Sequence, residues 1–340
     1  LKTALFSVVS QSTTVLSYTP GVWNAFARTD IKRNFENTRN IIWDMYSNRG
    51  ASLNEPYEYV YSTNQCGNYD SEGDCYNREH SFPASWFNDQ SPMYTDLHQL
   101  FPTDGYVNNI RGNLPFGETN SPNYTAQNGS KRGASSFSGY TGNVFEPINE
   151  YKGDFARVQF YMATRYDNLI ASWAGNSTSA NDVMNATQYP AFESWYIRLL
   201  YKWHQQDPVS QKEINRNDSV FLIQGNRNPF VDRPEWVFRV WSCTGLLTPT
   251  AIDDIAAANQ ALSIYPNPAT TAGATIKLQQ ALRKATTVQI VDVNGRVLWQ
   301  QLLPAGQTVL PLQTRQLQPG IYRVRIVNNE LNLVKTLLVQ

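Results

Sequence analysis

The sequence changes character between residues 246 and 261. Up to residue 245 it is irregular and rich in aromatic residues, whereas from residue 262 it consists of short alternating segments separated by Gly, Pro and Asn. A chain of 340 residues is also longer than one ordinary domain. We therefore predict two domains, 1–245 and 262–340, joined by a linker at 246–261.

The second predicted domain has the pattern of a small all-β structure. Its segments "ATIKL", "TTVQIVDV", "VLWQQLL", "TVLPL", "GIYRVRIV" and "NLVKTLLV" are short, apolar and separated by turn residues, as strands are. Six or seven strands in about 80 residues predict a small immunoglobulin-like β-sandwich.

The first predicted domain has several helices and few strands, which predicts the mixed α+β class. In "DFARVQFYMATRY", apolar residues recur at helical spacing, so we expect one buried face. The segment "FESWYIRLLYKWHQQD" shows the same pattern. A third segment, "PVSQKEINRNDSVFLIQGN", opens with Ser210 and Glu213 in capping-box spacing. These three helices are predicted to be scaffold.

The apolar segments and cysteines bear on the cellular destination. No apolar run approaches the roughly 20 residues of a membrane span, so no transmembrane segment is predicted. The start, "LKTALFSVVS", lacks the order of an export signal, which means either no export or a signal already removed. Cys66 and Cys75 bracket a polar loop short enough for a disulfide, which favours an oxidising destination over two unpaired thiols. Cys243 is left over.

The charges give no sign of a broad basic surface for nucleic acid. Residues 1–245 contain 20 Lys and Arg against 24 Asp and Glu, and residues 246–340 contain the remaining 8 against 4. Because the first domain is slightly acidic, any phosphate-binding surface there must be a local groove.

One dense polar stretch contains His80 and His98, two of the three histidines. It begins with "REH" at 78–80 and ends with "DGYVNNIRGN" at 104–113. A histidine that titrates near neutrality is the usual base for activating water. Carboxylate and amide oxygens suit a magnesium ion that keeps several waters, and an arginine can neutralise charge on phosphorus. These are the parts of a one-metal phosphodiesterase.

Zinc is the competing metal. Cys66, Cys75, His80 and His98 could be counted as four zinc ligands, but the nine-residue spacing of the cysteines does not match the short knuckles of zinc sites. We therefore predict Mg²⁺, with Mn²⁺ or Ca²⁺ as substitutes.

These motifs together resemble a known family. "CYNREHSFPASWF" followed by "TDLHQLFPTDGYVNNIRGNLPFGE" is similar to the bacterial endonuclease I family, secreted or periplasmic nucleases with a ββα-metal (His-Me finger) core. The similarity continues over most of residues 20–241. It implies that His80 is the general base and that Glu79 and Asn108 are metal ligands. It also implies magnesium-dependent endonucleolytic cleavage of DNA, often of RNA too, leaving a 5′-phosphate.

One part of the family pattern is missing. The family's transition-state arginine lies in an insertion after the histidine motif, and here only "SFPASWFNDQSPMYT" follows, without an arginine. We predict Arg111 for this role, with Arg78 and Arg227 as alternatives. Arg78, Asn109 and Asn113 are predicted to contact the substrate.

Several alternatives stay open at this point. His98 either supports the site or is a hydrogen-bonded core histidine, and His204 is predicted to be a structural cation near a helix end. The missing arginine and the acidic balance are compatible with a surface-displayed module that binds nucleic acid without cleaving it. A secreted hydrolase for a polysaccharide would need paired carboxylates, and the sequence shows no convincing pair.

The second domain resembles another known family. "LSIYPNPA", "VDVNGRVL" and "LQPGIYRVRIV" are similar to the C-terminal sorting domain of the type IX secretion system. The resemblance implies that the outer-membrane secretion machinery is a partner and that the protein is secreted or attached to the cell surface. It also implies that this domain takes no part in catalysis. We expect a monomer.

Overall fold

The chain falls into two structural units. The computed structural model describes residues 1–50, 54–247, 262–270, 273–278, 286–292, 296–328 and 331–340. The units comprise Leu1–Leu247 and Thr248–Gln340. Residues 248–261, most of the predicted linker, lie outside the described residues, so the predicted domain boundaries stay predictions.

Helices dominate the first unit. Within its described part they are α1 (Lys2–Val9), α2 (Trp23–Thr29), α3 (Gly105–Arg111), α4 (Asn149–Arg165), α5 (Thr178–Val183), α6 (Ser194–Gln206), α7 (Gln211–Gln224), α8 (Pro229–Asp232) and α9 (Glu235–Trp241). The three predicted scaffold helices are confirmed as α4, α6 and α7, and Ser210 and Glu213 form the predicted capping box. Across the described residues, none of the helices combines the length and the apolarity needed to cross a membrane.

The prediction that α4 has a single buried face is wrong. Every residue of α4 from Tyr151 to Arg165 is buried, polar residues included. Arg157 donates to Glu213 at 2.5 and 2.7 Å, and Asp154 accepts from Lys212 at 2.8 Å. The spacing of apolar residues predicts an amphipathic helix even when the charged residues are also buried, because that spacing contains no information about ion pairs inside the core.

The strands of the first unit form small sheets. In its described part these are β1 (Ile31–Arg33) with β2 (Asn40–Ile42), β3 (Tyr76–His80) with β4 (Leu100–Asp104), and β5 (Ser121–Thr125), β6 (Lys131–Ala134) and β7 (Asn143–Glu146). Strands β3 and β4 are antiparallel and pair Glu79 with Phe101. Helix α3 follows β4 directly, and the Asp104 side chain caps it by accepting from the Val107 amide at 2.7 Å. The elements β3, β4 and α3 therefore form a β-β-α succession.

The described part of the second unit is all β, as predicted. Its strands are β8 (Leu262–Thr270), β9 (Gly273–Leu278), β10 (Thr286–Val291), β11 (Val297–Leu303), β12 (Val309–Leu312), β13 (Gly320–Asn328) and β14 (Leu331–Val339). They are ordered β11-β10-β13-β14-β8-β9-β12, with β14 and β8 parallel. Each strand contributes apolar side chains to one core, as in a β-sandwich. The finer assignment to an immunoglobulin-like fold stays a prediction.

The buried histidines make the stability of the first unit depend on pH. Burial is the main cause of a pKa of about 4 for His98 and about 3 for His204. His204 is therefore neutral at pH 7 and not the cation that its helix end suggested. Because the unfolded chain takes up these protons near pH 6.5, stability is fully present above that pH and is lost as pH falls towards about 4.

We expect each of these two histidines to remove about 2 kcal/mol of unfolding free energy between about pH 7 and pH 5. Urea denaturation at both pH values measures the loss. His204→Gln keeps an acceptor for Arg157, whose Nη1 lies 3.4 Å from His204 Nδ1. That variant should show a smaller pH effect, and an unchanged pH effect would contradict the assignment.

Candidate active site

The candidate side chains on strand β3 fall into two groups, one on each face of the strand. Side chains alternate along a strand, and their partners alternate here as well. Asn77 and Glu79 bond to side chains of α3, whereas Arg78 and His80 contact aromatic rings from other segments. A ligand that touches both groups must therefore lie across the end of β3 or along the edge that β4 does not cover.

Glu79 is buried in the first unit and is only 1% exposed. Its Oε1 accepts from the Tyr46 hydroxyl at 2.9 Å and from Arg111 Nη1 at 2.7 Å. Burial raises the pKa of Glu79, and the charge of Arg111 offsets part of that rise. The second oxygen, Oε2, accepts no hydrogen bond from the described residues, so one side of the carboxylate is free for a ligand.

Arg111 is committed to the protein interior. It is 1% exposed, and besides Glu79 it donates to the carbonyls of His80, Ser81 and Leu114 at 2.8, 2.9 and 3.1 Å. Four of the five N–H groups of a guanidinium are thereby used. Arg111 therefore holds Glu79 and the end of β3 in place from the protein interior. Its predicted role in the transition state stays a prediction.

We expect Arg111→Met to lower the free energy of unfolding by about 3–5 kcal/mol, because it leaves the Glu79 carboxylate buried without its cation. Urea denaturation measures this loss. The double variant Arg111→Met/Glu79→Gln should recover part of it, since no unpaired charge is left. A single-variant loss below about 1 kcal/mol would contradict the pairing.

Asn108 lies on the same side of β3 as Glu79. Its Nδ2 donates to Asn77 Oδ1 at 2.7 Å, and it precedes Arg111 by about one turn of α3. Its Oδ1 accepts no hydrogen bond from the described residues. Glu79 Oε2 and Asn108 Oδ1 are therefore two uncommitted hard oxygen donors on the same side of β3, which fits a magnesium ion that keeps most of its water ligands.

The zinc alternative is wrong. Cys66 and Cys75 are joined in a disulfide with Cα atoms 5.7 Å apart, so no thiolate is available from either. Among the described residues, no group of three or more His, Cys, Asp and Glu side chains is placed to hold a metal. A protein-only cage is therefore not found there, and a site on Glu79 and Asn108 would depend on waters and substrate oxygens.

His80 is held as a neutral base. Its Nε2 lies 3.0 Å from the Tyr94 carbonyl oxygen, and its ring stacks on the Tyr94 ring at 4.8 Å. Burial is the main cause of a His80 pKa of about 4, and the charges of Arg78 and Arg111 also lower it. Because a carbonyl only accepts, Nε2 must carry the proton, which leaves the Nδ1 lone pair free to accept one.

The other predicted substrate contacts lie on β3, on α3 and in the turn after α3. Arg78 is half-buried, Asn109 is exposed on α3, and Asn113 is exposed just after its end.

Arg227, an alternative for the missing arginine, donates to Asp232 and Asp218 at 2.7–2.8 Å. The guanidinium of Arg227 is therefore already neutralised by two carboxylates.

His98 belongs to the core and not to this cluster. It is 4% exposed, its Nε2 lies 3.1 Å from the Asn226 carbonyl, and its backbone N–H donates to Asp96 Oδ1. Of the two interpretations of His98, the structure supports the hydrogen-bonded core residue.

The disulfide loop braces the start of α3. The Gly73 amide donates to Asp104 Oδ2 at 2.9 Å, and the Gly105 amide donates to the Cys75 carbonyl at 2.9 Å. These bonds attach the loop closed by Cys66 and Cys75 to the first residues of the helix that carries Asn108.

Three tyrosines of the site were not predicted from the sequence. Tyr46 donates to Glu79, Tyr94 holds His80, and Tyr18 packs against both Arg78 and Tyr94. The chain contains 19 tyrosines, and no spacing distinguishes these three, because their segments meet the strand only in the folded chain.

Each of the two units matches a known protein family. Residues 1–235 match the sequence model of the Endonuclease I family, and residues 263–340 match that of the secretion system C-terminal sorting domain. The chain is 34% identical over 246 residues to an extracellular ribonuclease of Bacillus subtilis (strain 168), covering 71% of this chain and 74% of that one. It is 30% identical over 142 residues to a periplasmic deoxyribonuclease of Aeromonas hydrophila, covering 42% and 48%.

A further similarity is to endonuclease-1 of Buchnera aphidicola subsp. Acyrthosiphon pisum, 29% identical over 137 residues. The alignment covers 40% of this chain and 44% of that relative. The sorting domain and the extracellular and periplasmic relatives together support a secreted or cell-surface location. The chain belongs to the endonuclease I family and carries a type IX secretion sorting domain over residues 263–340.

Proposed function

We propose that this protein is a secreted, metal-dependent and largely sequence-nonspecific endonuclease with a His-Me finger site. The observation that carries the proposal is the β-β-α succession, in which His80 ends the first strand with no described residue bonded to its Nδ1, and Asn108 on the following helix bonds to Asn77, two residues before Glu79. The relatives named as ribonuclease and deoxyribonuclease support DNA or RNA as substrate.

Glu79 and Asn108 would hold the metal, for which Mg²⁺ fits the donor set best. When bound, the ion supplies positive charge to a phosphate oxygen and to the leaving oxygen. Tyr46 and Arg111 hold the carboxylate through Oε1, which keeps Oε2 oriented before any ligand arrives.

His80 would act as the general base. Its Nδ1 takes a proton from water, the water oxygen bonds to phosphorus, and the bond from phosphorus to the 3′-oxygen breaks. The leaving 3′-oxygen takes a proton from solvent, which gives a 3′-hydroxyl and a 5′-phosphate, and His80 then returns its proton to solvent. The bond to the Tyr94 carbonyl fixes the ring and stabilises the proton on Nε2 throughout.

Asn109 and Asn113 would contact the substrate from the exposed side of α3 and the turn after it. We further propose that the sorting domain engages the outer-membrane secretion machinery, that it takes no part in catalysis, and that the protein is a monomer. Light scattering of the purified chain tests the oligomeric state.

Supercoiled plasmid and a structured RNA, each incubated with the purified chain in Mg²⁺, test the function. We expect nicked and then linear DNA, and we expect DNA ligase to reseal the nicks, since sealing needs a 5′-phosphate beside a 3′-hydroxyl. Nicks that ligase cannot seal would contradict the bond assignment. Plasmid that is retarded in a gel but stays supercoiled would favour the binding module without turnover.

A further inference from the structure

The missing transition-state arginine has a second candidate on β3 itself, and this inference rests on the proposed nuclease function. Of the three arginines considered, Arg111 is bonded to Glu79 and three carbonyls, and Arg227 is paired with two aspartates. Neither guanidinium is free to meet a phosphate without giving up these partners. We infer that Arg78 is the catalytic arginine, contacting the scissile phosphate beside His80.

Arg78 is positioned by an aromatic clamp formed by Tyr18 and Trp23. Its guanidinium carbon lies 3.5 Å from the Tyr18 ring centre and 4.3 Å from the Trp23 ring centre. Nη1 donates to the Tyr18 carbonyl at 2.7 Å and to the Thr19 hydroxyl at 2.8 Å. These contacts and the nearby Tyr18 hydroxyl fix the planar group, and no other described residue accepts from Nε or Nη2.

Among the described residues no carboxylate forms an ion pair with Arg78, although its side chain is half-buried. A partly desolvated cation is costly unless a counter-charge meets it. The N–H groups that remain on Nε and Nη2 and the absent counter-charge both match a phosphodiester, whose non-bridging oxygens accept from a guanidinium fork.

Arg78 also lies on the side of β3 that carries the base. It is two residues before His80, so the two side chains share a face of the strand. Tyr18 connects them, because its ring packs on Arg78, lies 4.5 Å from the Tyr94 ring and lies 6.0 Å from the His80 ring. A phosphate attacked by a water at His80 Nδ1 would therefore lie on the same side of β3 as the Arg78 guanidinium.

Steady-state nicking by Arg78→Ala and Arg78→Lys, measured beside the unaltered chain in Mg²⁺, tests the inference. We expect Arg78→Ala to lower kcat by about 10²–10³-fold with KM changed far less, and added methylguanidine to restore part of the rate. Arg78→Lys should stay impaired, because an ammonium lacks the planar fork. Tyr18→Leu should lower kcat and Tyr18→Phe should not, since phenylalanine keeps the ring.

The controls separate catalysis from structure and from the proposed function. If Arg78 only anchors the Tyr18 segment, Arg78→Ala lowers the melting temperature, methylguanidine does not restore the rate, and the inference fails. The inference also fails if the unaltered chain is active and Arg78→Ala cleaves at the same rate, or if the substitution raises KM without lowering kcat. Failure of the unaltered chain to cleave DNA or RNA would instead overturn the proposed function, and this inference with it.

Discussion

His80→Ala is expected to lower the rate of plasmid cleavage by about 10³-fold at neutral pH. The variant removes the imidazole of the site, whose Nδ1 lone pair can accept a proton at neutral pH because the ring is neutral and Nε2 donates its proton to the Tyr94 carbonyl. The fold should survive, because the ring makes one hydrogen bond and stacking contacts at the end of β3. Initial rates of nicking and the melting temperature measure both expectations.

The matched control is another histidine of the same unit. His204 lies beside Arg157 in the core and touches none of the proposed site residues, so His204→Gln should cleave within about threefold of the unaltered chain. Added imidazole should restore part of the activity of His80→Ala, since it supplies the missing base in solution. Activity of His80→Ala within about tenfold of the unaltered rate would rule out the proposed base.

The second large effect concerns the metal. A chelator should abolish cleavage, and excess Mg²⁺ should restore it. Glu79→Gln should lower the rate by more than about 10²-fold, because an amide oxygen carries no charge for the ion. The glutamine can still accept from Tyr46 and Arg111, so we expect the site around it to stay in place.

Binding measurements distinguish loss of the metal from loss of the base. Mn²⁺ titration followed by electron paramagnetic resonance should show one bound ion for the unaltered chain and weaker binding for Glu79→Gln and Asn108→Ala. Glu150→Gln changes an exposed carboxylate at the start of α4 and serves as the matched control. Equal Mn²⁺ affinity in Glu79→Gln and in the control would show that Glu79 is not a ligand.

The sequence predicted those parts of the fold that depend on local patterns. Helices α6 and α7 follow from apolar spacing and a capping box, and the second unit follows from its alternating segments. The burial of α4 on all sides was not predictable from spacing, because it depends on Glu213 and Lys212, which arrive from another helix. Local patterns carry no information about such partners.

The candidate site shows the same limit. Short motifs and the family resemblance were enough to predict Glu79, His80 and Asn108 as site residues, since these motifs lie on one strand and one helix. The location of Arg111 behind Glu79, and the rings around Arg78 and His80, depend on contacts between distant segments. Residue type alone could not distinguish an arginine that supports a carboxylate from one that is free to meet a phosphate.

The brace on α3 has a consequence for the cell that makes this protein. Under the proposed function, a nuclease that became active in the cytoplasm would attack the producer's own chromosome. The bond between Cys66 and Cys75 closes the loop that holds Asp104 and Gly105, and such bonds persist only in oxidising surroundings. We therefore expect the helix that carries Asn108 to be held most firmly after export, when the genome of the producing cell is no longer accessible.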